Sequence, residues 1–138
     1  MSVKYLSQFD LLQIRTRLQA RLRTSFDTMD IERLQAALAA PRMVVFGHEL
    51  HPTLWDKAAV LLTRLIVNHP FYDGNKRIAA QAVREFLRRN GYDLTADEQA
   101  LACMTRQVVA GEIDAAALGD WLEQHVAPRA ADGASPRP

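Results

Sequence analysis

Apolar residues return every three or four positions through most of this chain, and short polar residues fall where the repeats begin and end. Ser7-Gln8-Phe9-Asp10 opens the first repeat, with an acidic residue three positions after a Ser cap. Leu11, Ile14, Leu18 and Leu22 then share one helical face, while Arg15, Arg17, Arg21 and Arg23 take the others and are expected to be solvated. Residues 24–29 are a polar break. Asp30 caps a shorter helix on Ile31, Leu34 and Leu38 that Pro41 ends. Thr53-Leu54-Trp55-Asp56 starts a longer one, Leu54–Val67, in which Ala58, Ala59, Leu61, Leu62, Leu65 and Ile66 leave almost no polar face. A helix that is apolar nearly all round is one that others surround. The next puts Ile78, Ala79, Ala82, Val83, Phe86 and Leu87 inward, turns Arg84, Glu85, Arg88 and Arg89 mainly outward, and closes at Asn90-Gly91. Thr95-Ala96-Asp97-Glu98 reads as a capping box for a helix on Leu101, Met104 and Val108 that stops at Gly111. Asp114 caps a last helix holding Leu118, Trp121, Leu122 and Val126.

One segment breaks the helical rhythm. Met43-Val44-Val45-Phe46-Gly47 is β-branched and aromatic and then turns, which fits a small hairpin or extended flap. It is the only strand this pattern suggests, so its edge is expected to be open to an added strand from a partner. The pattern therefore predicts an all-α bundle of six helices around a central apolar helix, with one small β-hairpin flap. Residues 1–126 form the domain. From Ala127 the composition turns to Pro, Ala, Ser, Gly and Arg, and 127–138 are expected to be a flexible tail.

Composition narrows the possible functions. The 138 residues are 49% hydrophobic and 24% charged with net charge +1, which suits one globular domain and gives no global footprint for direct nucleic-acid binding. Charged residues interrupt every apolar stretch long enough to cross a membrane, and the opening Met-Ser-Val-Lys-Tyr has no signal-peptide core, so the cytoplasm is the expected compartment. Cys103 is alone, which excludes an internal disulfide, and its place in an apolar repeat predicts a buried thiol. His48-Glu49-Leu50-His51 spaces its histidines by three rather than four and lies off any helix, so it does not read as a zinc site.

The chemistry concentrates in His69-Pro70-Phe71-Tyr72-Asp73-Gly74-Asn75-Lys76-Arg77, a loop feeding a helix start. Free N–H groups and the positive pole of a helix dipole attract an anion there. Lys76 and Arg77 add two cations, Gly74 allows close backbone approach, and Asp73 and Asn75 offer capping oxygens. Asp73 is also a hard-metal ligand and His69 a proton acceptor of near-neutral pKa. Phe71 is expected to anchor the loop in the core. Spacing alone gives a nucleotide-phosphate site with a base.

These nine residues resemble the Fic/Doc signature H-x-F-x-[D/E]-G-N-G-R-x-x-R, and the -N-K-R- form resembles the Doc (death-on-curing) branch. Lys76 stands where the Fic form has its second glycine, and Ala80 where it has its last arginine. The likeness extends from Tyr5-Leu6-Ser7 to Trp121-Leu122. The resemblance implies a toxin of a toxin–antitoxin pair that transfers the γ-phosphoryl of ATP or another nucleoside triphosphate, with Mg2+, to a Thr or Ser of elongation factor Tu and so blocks translation. It assigns His69 as general base, Asp73 as metal ligand, and Gly74, Asn75, Lys76 and Arg77 to the nucleotide, with Asp73, Lys76 and Arg77 also catalytic. It places Val44, Val45, Phe46 and Gly47 on a target-binding flap, and implies a Phd-like antitoxin. AMP transfer, or a silent binding module built on the same groove, are the alternatives.

Overall fold

A computed structural model describes residues 2–22, 29–71 and 74–129, the side chains of 19–22 excepted. Short polar side chains open five of its six helices. At α1 (Gln8–Leu22) the Ser7 hydroxyl accepts from the Asp10 N–H while the Asp10 carboxylate accepts from the Ser7 N–H, a reciprocal capping box. Asp30 caps α2 (Ile31–Ala39) and Thr53 caps α3 (Leu54–Val67). Asp97 and Asp114 cap α5 (Glu98–Val109) and α6 (Ala115–Gln124), each accepting from the N–H three residues on. At α4 (Asn75–Arg89) no described side chain caps the start. The cap of α5 is thus Asp97 and not Thr95, whose hydroxyl instead donates to the His125 carbonyl.

The expected centre is the observed one. Eight residues of α3 are buried, and α4 and α6 pack along it, with α2 and α5 flanking and α1 reaching the bundle through α4. At Gly119, α6 comes close to α3: an added methyl would lie 3.3 Å from the Trp55 carbonyl oxygen and 3.3 Å from the Asp56 carboxylate. On the other flank, Arg89 of α4 donates at 2.7 Å to both Asp10 of α1 and Glu85. Arg84 donates to the Leu94 and Ala96 carbonyls. Arg84 and Arg89, expected mainly outward, are therefore half-buried ties between elements, and Glu85, also half-buried, holds Arg89 in place from the same helix.

The hairpin forms as β1 (Val44–Val45) and β2 (His48–Glu49), antiparallel, with Val45 opposite His48 and Val44 opposite Glu49. Phe46 and Gly47 both have positive φ, 51° and 79°, the geometry of a two-residue turn matched to strand twist.

Four expectations fail, for two physical reasons. A second antiparallel ribbon joins β3 (Tyr92–Leu94) to β4 (Val126–Pro128), so the hairpin is not the only strand pair. For the same reason α6 stops at Gln124, Val126 belongs to a strand, and the tail cannot start at 127. Arg129 still donates its N–H to the Gly91 carbonyl, while 130–138 lie outside the described residues. Pairing across more than thirty residues leaves no local periodicity to read. Cys103 is exposed rather than buried, because the inward face of α5 runs through Leu101 and Thr105 and turns residue 103 away.

No helix among the described residues is long and apolar enough to cross a membrane.

Candidate active site

α3 ends at Val67 with Asn68 as its cap, and the chain then turns sharply before α4. His69 takes φ 52°, in the left-handed region, with its side chain exposed. The following proline bars the right-handed helical conformation, as expected, but the residue is left-handed rather than extended. Non-glycine residues held there carry strain, and histidine is among those that tolerate it best.

What holds the turn is a set of backbone bonds from beneath. Pro70 and Phe71 are buried. The Asp30 N–H donates to the Pro70 carbonyl at 2.7 Å, Met29 bridges Phe71, and the Asn68 amide donates to the Arg33 carbonyl. The start of α2 is thereby fastened to the loop.

Asn75 completes the fastening. Its carboxamide is buried, accepts from the Phe71 N–H at 3.1 Å and donates to the Phe71 carbonyl at 2.8 Å. This corrects one expectation: Asn75 is the first residue of α4, and its oxygen clamps the loop instead of capping the helix. The cap position belongs to Gly74, at φ 79° and ψ 12°, which has no side chain to offer. Among the described residues no side chain caps the first turn of α4, and Lys76 and Arg77 stand exposed on that same turn. A helix N-terminus of this kind binds anions through its N–H groups and dipole, reinforced here by two cations. A phosphate chain fits such a surface. Asp73, expected as the magnesium ligand, lies outside the described residues, as do 24–28 of the polar break. Among the described residues no cluster of three His, Cys, Asp or Glu side chains could hold a metal.

Arg15 was legible only as a surface charge, and that was wrong. It is 6% exposed, with its guanidinium 5.3 Å from the Phe71 ring centre and a nitrogen 3.8 Å from the Met29 sulfur. A buried cation lies directly beneath the motif loop. The signal that could have found it is its position on α1, one residue from Ile14 and three from Leu18, beside the apolar stripe.

Ala80 follows Lys76 by one turn and, with Leu62, Ile66, Leu101 and Thr105, lines an apolar groove of about 340 Å³.

The expected flap residues Val44, Val45, Phe46 and Gly47 form an exposed hairpin, but its described bonds do not run to the motif. Lys57, in the first turns of α3 and only 1% exposed, donates to the Pro41 carbonyl, to the Glu49 carboxylate at 2.7 Å, and to the His51 carbonyl. One ammonium thus holds both feet of the hairpin. The base sits at the N-terminal end of α3, and His69 follows its C-terminal end, about 20 Å along the axis for a helix of this length. The bonds to Lys57 also explain the roles of Glu49 and the His51 backbone, which need no metal. Burial pushes the His51 imidazole pKa down, Lys57 and Arg64 add to this, and Asp56 opposes it.

A model of the Fic/DOC family matches residues 5–87. Over 64 residues the chain is 52% identical to a protein of Mycolicibacterium smegmatis (strain ATCC 700084 / mc(2)155) named Toxin Doc. That match covers 46% of this chain and 49% of the relative, so it spans about half the relative's length. The family match takes in every element that shapes the motif loop, from the α1 residues beneath it to the helix that follows it. This chain belongs to the Fic/DOC family.

Proposed function

We propose that this protein is the toxin of a toxin–antitoxin pair and a Doc-like phosphotransferase. In this reading it moves the γ-phosphoryl group of ATP, or another nucleoside triphosphate, to a Thr or Ser hydroxyl of a translation factor, elongation factor Tu by family likeness. The observation that carries it is an α4 N-terminus that opens on Gly74 and bears the exposed Lys76 and Arg77, beside an exposed, conformationally strained His69. The relative's name, Toxin Doc, supports the toxin role.

His69 takes the hydroxyl proton as the oxygen attacks the γ-phosphorus, and the bond to the β-phosphate bridging oxygen breaks, releasing ADP. The backbone N–H groups of Asn75, Lys76 and Arg77 bind the phosphates, and Arg77 can hold one through two parallel bonds. The Asn75 side chain contributes indirectly, through the loop. Lys76 fills, with bulk and charge, the place where a glycine would let a triphosphate lie with its α-phosphorus toward the acceptor. Catalysis is then mostly positioning and charge neutralisation, as phosphoryl transfer requires. Magnesium would be held by Asp73 and the phosphate oxygens, adding charge neutralisation when bound. A Phd-like antitoxin segment would cover the apolar groove beside Lys76 and the site.

The test uses ATP labelled at the α or the γ position, incubated with the protein, magnesium and a cell extract. Label from γ alone on a protein band supports the kinase; label from α alone replaces it with AMP transfer; label from neither leaves a binding module. His69→Ala is expected to lower transfer by about a hundred- to ten-thousand-fold, the usual worth of a general base, without changing the circular dichroism spectrum.

A further inference from the structure

A second group of cations lies away from the motif. α1, α4 and β3 enclose a cleft of about 500 Å³, lined by Arg17, Arg84 and Arg88 together with Ile14, Leu18 and Leu94. That is the volume of a small-molecule site. Arg84 lies about 10 Å along α4 from Arg77, so the cleft is separate from the motif turn.

Charge matching shows what the cleft lacks. Glu85 and Asp93 also line it, but both are committed elsewhere. Glu85 accepts from Arg88 at 2.6 and 3.0 Å and from Arg89 at 2.7 Å, and Arg89 is completed by Asp10. Asp93 pairs with Arg129 at 3.4 Å. Glu85 thus answers Arg88, Asp10 answers Arg89, and Asp93 answers Arg129. Two cations are left over. Among the described residues no carboxylate pairs with Arg84, a half-buried guanidinium that donates to the Leu94 and Ala96 carbonyls. Those neutral oxygens satisfy its hydrogen bonds but not its charge. Arg17, exposed on α1, has no carboxylate partner among the described residues either.

We propose that this cleft binds a small phosphate monoester. Such a group carries nearly two negative charges at neutral pH, which matches the two guanidiniums left without a counter-charge. Planar guanidinium forks suit phosphate oxygens better than point charges do. Ile14, Leu18 and Leu94 give an organic substituent an apolar surface to pack on. Arg17 belongs to α1 and Arg84 to α4, so the ligand would join the two helices beside the existing Arg89–Asp10 tie. No motif residue takes part, and the proposal stands or falls independently of the transfer reaction.

The full chain is titrated with phenyl phosphate and followed by amide chemical shifts. A saturable set of shifts is expected around residues 14–18, 81–88 and 93–94, weakened by added salt. The double variant Lys76→Ala, Arg77→Ala removes the cations of the motif turn, and the same shifts should persist in it. Arg17→Gln changes an exposed side chain with no ion pair to lose. It should keep the parent's circular dichroism and bind at least about tenfold more weakly. No saturable shift at the cleft up to tens of millimolar overturns the proposal, as do shifts confined to the motif turn. A folded Arg17→Gln variant that binds as the parent does overturns it too. Inorganic phosphate binding as tightly as phenyl phosphate would refute the organic substituent. If a phosphotyrosine peptide fills the cleft and phenyl phosphate does not, the partner is a protein and the small-molecule assignment is wrong.

Discussion

Asn75 and Lys57 do similar work at opposite ends of α3. Each is a polar side chain taken out of water, Asn75 bonded to the Phe71 backbone and Lys57 to two backbone carbonyls and the Glu49 carboxylate, and each fixes the chain segment that flanks α3. Truncating Asn75 to Ala leaves the buried N–H and C=O of Phe71 without partners. Each such group costs about 1–3 kcal/mol, so Asn75→Ala is expected to lose about 2 kcal/mol or more in urea unfolding, and to lose transfer activity beyond what stability explains. Lys57→Met releases three acceptors, of which the half-exposed Glu49 carboxylate can rehydrate. A cost of about 1–3 kcal/mol is expected, with faster hydrogen exchange at the Leu50 amide, the one that donates back to Met43. Neither role was legible locally. The sequence marks Asn75 as a capping oxygen near a helix start and Lys57 as a charge interrupting an apolar helix. Which acceptors come within reach depends on chain segments folded over them.

The helices themselves are set by local chemistry and joined by small side chains. Their starts follow from Ser7, Asp30, Thr53, Asp97 and Asp114, each an oxygen accepting from an exposed N–H of the first turn. At α4 no described side chain plays this part, and a bound anion could take the place of such an oxygen there. Between helices, Gly119 sets how closely α6 approaches α3. Gly119→Val must push the Trp55 backbone aside by a few tenths of an ångström, and overpacking of this kind costs about 1–3 kcal/mol. A fall in Tm with an unchanged helical spectrum would show it, and an unchanged Tm would mean that α6 shifts freely. β3 and β4 mark the limit of reading elements from sequence. Each is three residues long, and neither would stand as a strand without the other.

Across the whole molecule, acid is the condition to which the fold is most exposed. The Arg88 hydrogen bond lowers the Glu85 pKa, burial opposes it, and Arg89 adds to the lowering. Burial is the largest influence on Asp10 and raises it, but bonds from Arg89 and Ser7 outweigh this and leave its pKa below the ordinary value. For both carboxyls the folded value lies below the unfolded one. Their contribution is therefore complete above the ordinary carboxylate range, near about pH 4, and is lost as pH falls through the lowered values. The lowered His51 acts earlier. Folding favours its neutral form, so its contribution is complete above about pH 6.5 and declines as pH falls below that. Unfolding midpoints measured against pH should show a shallow loss beginning in that range and a steeper one below about pH 4. Asp10→Asn should flatten only the steeper part; an unchanged acid limb would remove the α1–α4 tie from the account.

The sequence by itself determined the helices, the central place of α3, the hairpin, and the loop-to-helix motif that identifies the family, because periodicity, caps and turn residues act over a few positions. Tertiary structure alone decided that Arg15 lies under Phe71, that Asn75 clamps where it seemed to cap, that residues 126–128 pair with 92–94, and that the hairpin's base stands at the end of α3 away from His69. Each of these depends on groups far apart in the chain meeting in a dry interior, where the same side chain that water would have left at the surface is held by whatever partner the packing brings.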